Sequence, residues 1–180
     1  MGNAQKGKCK KDSLAAWLTP RQKLLCQETL ELMKDDLPRL GLIVFTRFFE
    51  TEPNLKRVFP KIVKMNDSNQ LELDTDMEVL GRHASTVMHS LGAAVESLDH
   101  DGFFEGIIKN IGQSHQRRNV TPRMIEKLWP SLSYGLKEVL IDSYTKEVAG
   151  AWKKVFFYLC RHMKYGMNLT EDEEKTSDGS

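Results

Sequence analysis

The chain has 180 residues, 40% hydrophobic and 28% charged, with a formal net charge of +1. These values suit one packed domain and exclude a fibrous or wholly disordered chain. The balanced charge gives no bulk case for nucleic acid, and with no run of 18 apolar residues no spanning helix is expected.

Residues 1–18 form a small, lysine-rich extension that opens MGNAQKGKCKK. Without an apolar centre it does not read as a secretory signal. Residues 19–168 carry nearly all the apolar residues, and 169–180 (LTEDEEKTSDGS, from Leu169) read as an acidic, disordered tail. Thr19-Pro20 places a capping residue before proline, so a helix starts there. Leu24, Leu25, Leu32 and Met33 supply its apolar stripe. From Gly41 to Glu52 the chain is densely apolar. Leu42 to Phe45 would suit a strand, but the i, i+3, i+4 relation of Phe45, Phe48 and Phe49 favours a buried helix, ended by Pro53. Residues 64–74 read as a polar loop.

A long helix is expected from Asp74 or Thr75, with Leu80, Ala84, Val87, Met88, Leu91 and Val95 on its apolar stripe and a break at Asp99 to Gly102. Phe103, Phe104, Ile107, Ile108 and Ile111 then lead through a shorter helix to His115, ended by Arg117-Arg118-Asn119. Thr121-Pro122 repeats the cap-plus-proline start, and that helix is expected to reach about Ile141. The last helix is expected from about Ser143 to Met167. No segment alternates convincingly with period two. The fold class is all-α, with six to eight helices.

Cys9, Cys26 and Cys160 are odd in number and widely spaced. They read as reduced thiols of a cytosolic chain rather than a zinc site or a disulfide framework. Of the five histidines, His89, His100 and His162 read as structural or exposed, with His162 near a helix C-terminus. His83 and His115 each lie on an otherwise apolar helical side. They are 32 residues apart, which is room for two helices and a turn to face each other across a flat apolar slot. A haem needs such a slot, an imidazole for its iron and polar groups at its rim.

The order of landmarks resembles the globin family, the animal neuroglobin and globin X type in particular. Pro53 is followed six residues later by Phe59, the aromatic that in globins lies on the haem. Gly-Arg-His83-Ala-Ser-Thr-Val87 is similar to the distal helix, and Ile-Gly-Gln-Ser-His115 to the proximal helix. Ala-Trp152-Lys-Lys-Val-Phe-Phe-Tyr-Leu fits the last helix. The resemblance implies a globin fold over residues 19–168 holding haem b. His115 is then the proximal iron ligand, His83 lies opposite it, and Phe45, Phe59, Val87 and Val120 line the pocket. The tryptophan common in the first globin helix is replaced by Leu30. A carbonyl or hydroxyl, Ser114 among the candidates, would orient His115. Arg82, Lys64, Arg117 and Arg118 are candidates for propionate pairing. The implied functions are redox signalling, electron transfer or chemistry with NO, nitrite or O2, with side activity as a nitrite reductase or NO dioxygenase. Reversible oxygen storage or transport and a haem-free helical adaptor are the alternatives. An electron-transfer partner is expected.

Met1-Gly2 followed by small and polar residues resembles an N-myristoylation start, with Lys6 where Ser or Thr is usual. Cys9 is a candidate for palmitoylation. Two acyl chains beside a basic cluster would hold a cytoplasmic protein on the inner leaflet of the plasma membrane.

Overall fold

The computed structural model describes residues 14–59, 63–64, 74–99 and 103–177. Eight α-helices occur among them: α1 Leu14–Trp17, α2 Pro20–Met33, α3 Leu37–Thr51, α4 Met77–Glu96, α5 Phe103–Gln116, α6 Pro122–Glu126, α7 Trp129–Leu140 and α8 Lys146–Ser177. Short 3-10 turns follow α2, α3, α4 and α7. None of the described helices is long and apolar enough to cross a membrane.

The helix ends follow from local chemistry. Thr19 caps α2, its hydroxyl accepting from the Gln22 N–H while the Gln22 side chain accepts from the Thr19 N–H. Asp76 caps α4 by accepting from the Glu78 and Val79 N–H groups. At the end of α5, Asn119 takes a left-handed φ of 58°. The Arg118 and Val120 N–H groups both donate to the His115 carbonyl there, closing the helix where two arginines and an asparagine predicted its stop.

Five expectations need correction. The stripe of α2 is Leu25, Cys26, Leu30 and Met33, whereas Leu24 and Leu32 are 46% and 68% exposed; at 3.6 residues per turn residue 24 falls opposite the stripe and residue 32 on its flank. Helix α3 starts at Leu37 rather than Gly41, because Pro38 is tolerated in a first turn. The expected helix from Thr121 to Ile141 is two helices with a turn at Lys127 and Leu128. Pro130 has no N–H to continue a ladder and sits instead in the first turn of α7. Residues 63–64 and 74–75 pair as a two-residue antiparallel ladder across the two ends of the expected 64–74 loop. Helical backbone also continues through Ser177, past the expected end at Met167 and into the acidic tail. Extending a packed helix needs no new nucleus, and its Glu and Lys residues are good helix formers.

The core joins α2, α3, α4, α7 and α8, with Trp152, Met33, Leu40, Leu80, Met88 and Leu136 fully buried. Leu30 is buried there, and α2 receives its tryptophan contact from α8. Trp152 Nε1 donates to Thr29 Oγ1 at 2.9 Å, and that hydroxyl donates to the Leu25 carbonyl at 2.6 Å. Leu18 is 5% exposed and Trp17 packs edge-on against Tyr158 at 5.5 Å. The packed fold therefore begins before residue 19.

Two close crossings set the positions of the histidine-bearing helices. A Cβ on Gly41 of α3 would lie 2.7 Å from the Ala84 carbonyl oxygen of α4. A Cβ on Gly112 of α5 would lie 2.1 Å from the Met163 carbonyl oxygen of α8, and one on Gly166 equally close to that of Lys109. Only residues without a side chain allow these backbones to touch.

Candidate functional site

The Gly41 crossing places α4 against α3 with His83 beside Ala84, and Phe45 lies one turn beyond Gly41. The Gly112 crossing seats α5 on α8, with His115 one turn further along. These two contacts bring His83 and His115 together, with ring centroids 6.4 Å apart and planes tilted by 49°. Phe45 meets the His83 ring edge-on at 5.3 Å, Phe59 meets it at 5.6 Å, and the two phenylalanines touch at 6.3 Å. Phe49 completes this wall at 5.1 Å from Phe59. Val87 and Val120 are half-buried. Val87 packs against the core, and the Val120 N–H is held by the His115 carbonyl.

Both imidazoles are held neutral. Burial, then the neighbouring His115 and Arg118, push His83 down to about 4. Burial also lowers His115, partly opposed by its hydrogen bond to Ile111 and reinforced by Arg118. His115 Nδ1–H donates to the Ile111 carbonyl at 2.9 Å. That carbonyl can only accept, so the proton sits on Nδ1 and the lone pair of Nε2 is free to bind a metal. His83 makes no hydrogen bond to another described residue. Two neutral imidazoles with available nitrogens, set in aromatic walls, are the donor set an iron porphyrin requires.

The rim differs from expectation in detail. Ser114 does not orient His115; its hydroxyl and carbonyl both accept from Arg118 at 2.6 Å. The Ile111 carbonyl takes that role, and the signal was available, since a residue on a helix can reach the carbonyl four positions earlier. Arg82 is paired with Glu78 one turn back, and Arg117 and Arg118 are exposed. The side chain of Lys64 and all of Gly2, Cys9 and His100 lie outside the described residues. His89 is exposed and bonds its own turn through the Ser85 carbonyl. His162 is not near a helix end: α8 continues past it, and it is 4% exposed with its ring 4.3 Å from Tyr158.

A protein-family model described as Globin matches residues 43–163. The chain belongs to the globin family. Among relatives, this globin is 31% identical to neuroglobin-1 of Oncorhynchus mykiss over 83% of its length and 92% of the relative's. It is 26% identical to cytoglobin-1 of Oryzias latipes over 82% of each chain. It is 27% identical to the anaerobic nitrite reductase AHB2 of Arabidopsis thaliana over 85% of its length and 96% of the relative's. Its fold matches the crystal structure of a hexacoordinated heme protein from an anhydrobiotic tardigrade, with a TM-score of 0.72 and 19% identity. That match covers 84% of this globin and 96% of the tardigrade chain. The globin is thus a haem-binding protein of neuroglobin type, and small gases such as O2 are its family's ligand class.

Proposed function

We propose that His115 and His83 bind the haem iron from opposite faces, making this globin a six-coordinate redox protein. Its work is then electron transfer, redox signalling or NO and nitrite chemistry. One observation carries the reading: the 6.4 Å between the two ring centroids. Two imidazoles sharing one metal ion, with bonds of about 2.0 Å and ring centres about 1.1 Å beyond each nitrogen, have centroids about 6.3 Å apart. A distal histidine that only hydrogen-bonds a gas would stand roughly 2 Å further off.

The haem supplies a one-electron iron couple and a position for a gas. The chain does the rest. The Ile111 carbonyl fixes the tautomer and aim of His115. Phe45, Phe59 and Val87 exclude water from the distal side. His83 governs access, because a gas binds only in the fraction of molecules in which this side chain has swung away. The names of the plant relatives support nitrite as one substrate.

The absorption spectrum of the reduced protein tests the reading. Sharp, split visible bands mean two histidine ligands; one broad band means an open site, and then reversible oxygen carriage replaces the redox role. No Soret band after haem reconstitution would leave only a helical adaptor. Attachment to the plasma membrane through Gly2 and Cys9 is a second proposal, supported by the basic sequence of residues 1–18.

A further inference from the structure

An electron-transfer globin needs a surface where its partner docks, and the distribution of arginines marks one. Among the described residues, Arg21, Arg39, Arg47 and Arg82 each pair with a carboxylate: Glu147, Asp36, Glu50 and Glu78. Arg57, Arg117, Arg118 and Arg123 pair with none among the described residues. All four are exposed and lie on the segments that frame the histidine pair. Arg57 is two residues before Phe59, Arg117 and Arg118 directly follow His115, and Arg123 is on α6. A hydrogen-bonded ion pair of 2.6 Å between Lys127 and Glu52 ties the end of α3 to the turn after α6. The segments that carry Arg57 and Arg123 are therefore held together. Residues 109–127 contain five cations, Lys109, Arg117, Arg118, Arg123 and Lys127, against one acid, Glu126.

The haem's own propionates do not exhaust this charge. Haem b has two carboxylates, so at least two of the four guanidinium groups stay open. Arg118 is held by Ser114 close enough to both histidines to act on each electrostatically, which suits it to a propionate, and the Arg57 guanidinium is already taken up by Asn54. Arg117 and Arg123 are then the outward pair. Guanidinium forks match carboxylates bidentately, which favours an acidic protein face over a diffuse anion atmosphere. A separate group of acids, Glu28, Glu31, Asp35 and Asp36, lies on α2 and the turn after it.

We propose that this cationic collar is the docking surface for an acidic redox protein, which passes one electron to the haem iron. The inference rests on the six-coordinate redox reading above. In the step, the partner's reduced centre loses one electron and ferric iron gains it; no bond is made or broken and no proton moves. Charge of this kind sets encounter rate and orientation more than affinity.

The test is stopped-flow reduction of the full-length ferric holoprotein by a reduced acidic two-iron ferredoxin, followed in the Soret band. The rate should fall on the order of tenfold between low and physiological salt. Arg117→Glu with Arg123→Glu should slow it by roughly tenfold at low salt, while reduction by cationic hexaammineruthenium(II) becomes faster. Arg117→Gln with Arg123→Gln, a milder pair, should give the same order of effect in smaller degree. Charge reversal at Glu31 and Asp35 should leave the ferredoxin rate within about twofold. Equal ferredoxin rates for parent and collar variants would overturn the proposal. So would loss, in these variants alone, of binding to phosphatidylserine vesicles with the ferredoxin rate unchanged, which would assign the collar to lipid. A five-coordinate spectrum would sink the six-coordinate reading alone, since the salt dependence is read separately.

Discussion

His115 is tied to α5 by its own Ile111 carbonyl, and nothing else among the described residues holds its imidazole. His115→Ala should therefore abolish or severely weaken haem retention, read as the Soret absorbance kept after gel filtration. His83→Leu should keep the haem, turn the split visible bands into one broad band, and raise apparent CO affinity on the order of tenfold or more by removing the competing ligand. The same histidines give the haem-free protein an acid sensitivity. The folded value of His83 is about 4 against 6.5 unfolded. Between those values the unfolded chain binds more protons, so stability is full above pH 6.5, falls as pH drops toward 4, and levels off below. The loss should reach up to about 3 kcal/mol, measured by urea unfolding of apoprotein across that window. Ile141 carries a φ of 49°, a region where a β-branched residue is strained, and it is 70% exposed. Ile141→Gly should raise stability by about 1 kcal/mol, because the strain is relieved and little packing is lost.

At the scale of elements, the site depends on two helix crossings more than on the pocket residues themselves. Gly112→Ala places a methyl 2.1 Å from the Met163 carbonyl oxygen, so α5 must lift from α8. Backbone cannot yield as a flexible side chain does. A stability loss of about 3 kcal/mol is expected, together with faster transfer of haem to an apoprotein acceptor. Both readouts should move, because His115 lies one turn from the crossing. The capping residues were legible in the sequence: Thr19, Thr121 and the Asn119 stop all act as their chemistry dictates. The split between α6 and α7 was less visible. Apolar spacing continues smoothly from Met124 to Leu132, and only Pro130 interrupts it. The outward turn of Leu24 and Leu32 was also hidden, since Thr29 and Cys26, which look neutral in a pattern of apolar residues, take the buried positions.

At the scale of the whole molecule, burial and surface charge divide the labour. Cys26 and Cys160 are buried in the described structure, and burial pushes each thiol up to about 12. Neither should react with iodoacetamide in the native protein, and both should react on unfolding, as peptide mass spectrometry would show. Membrane fractionation of Gly2→Ala against the parent should release the protein from membranes if acylation anchors it.

The sequence by itself determined the helical class, most helix starts and stops, and the identity of the two histidines with their aromatic neighbours. Those properties are local or periodic, and the chain states them within a few residues. Only the tertiary structure decided that the rings of His83 and His115 face each other with centroids 6.4 Å apart. That distance follows from Gly41 against Ala84 and Gly112 against Met163. Such backbone contacts join residues far apart in the chain, and a glycine in a sequence does not announce which carbonyl it will meet.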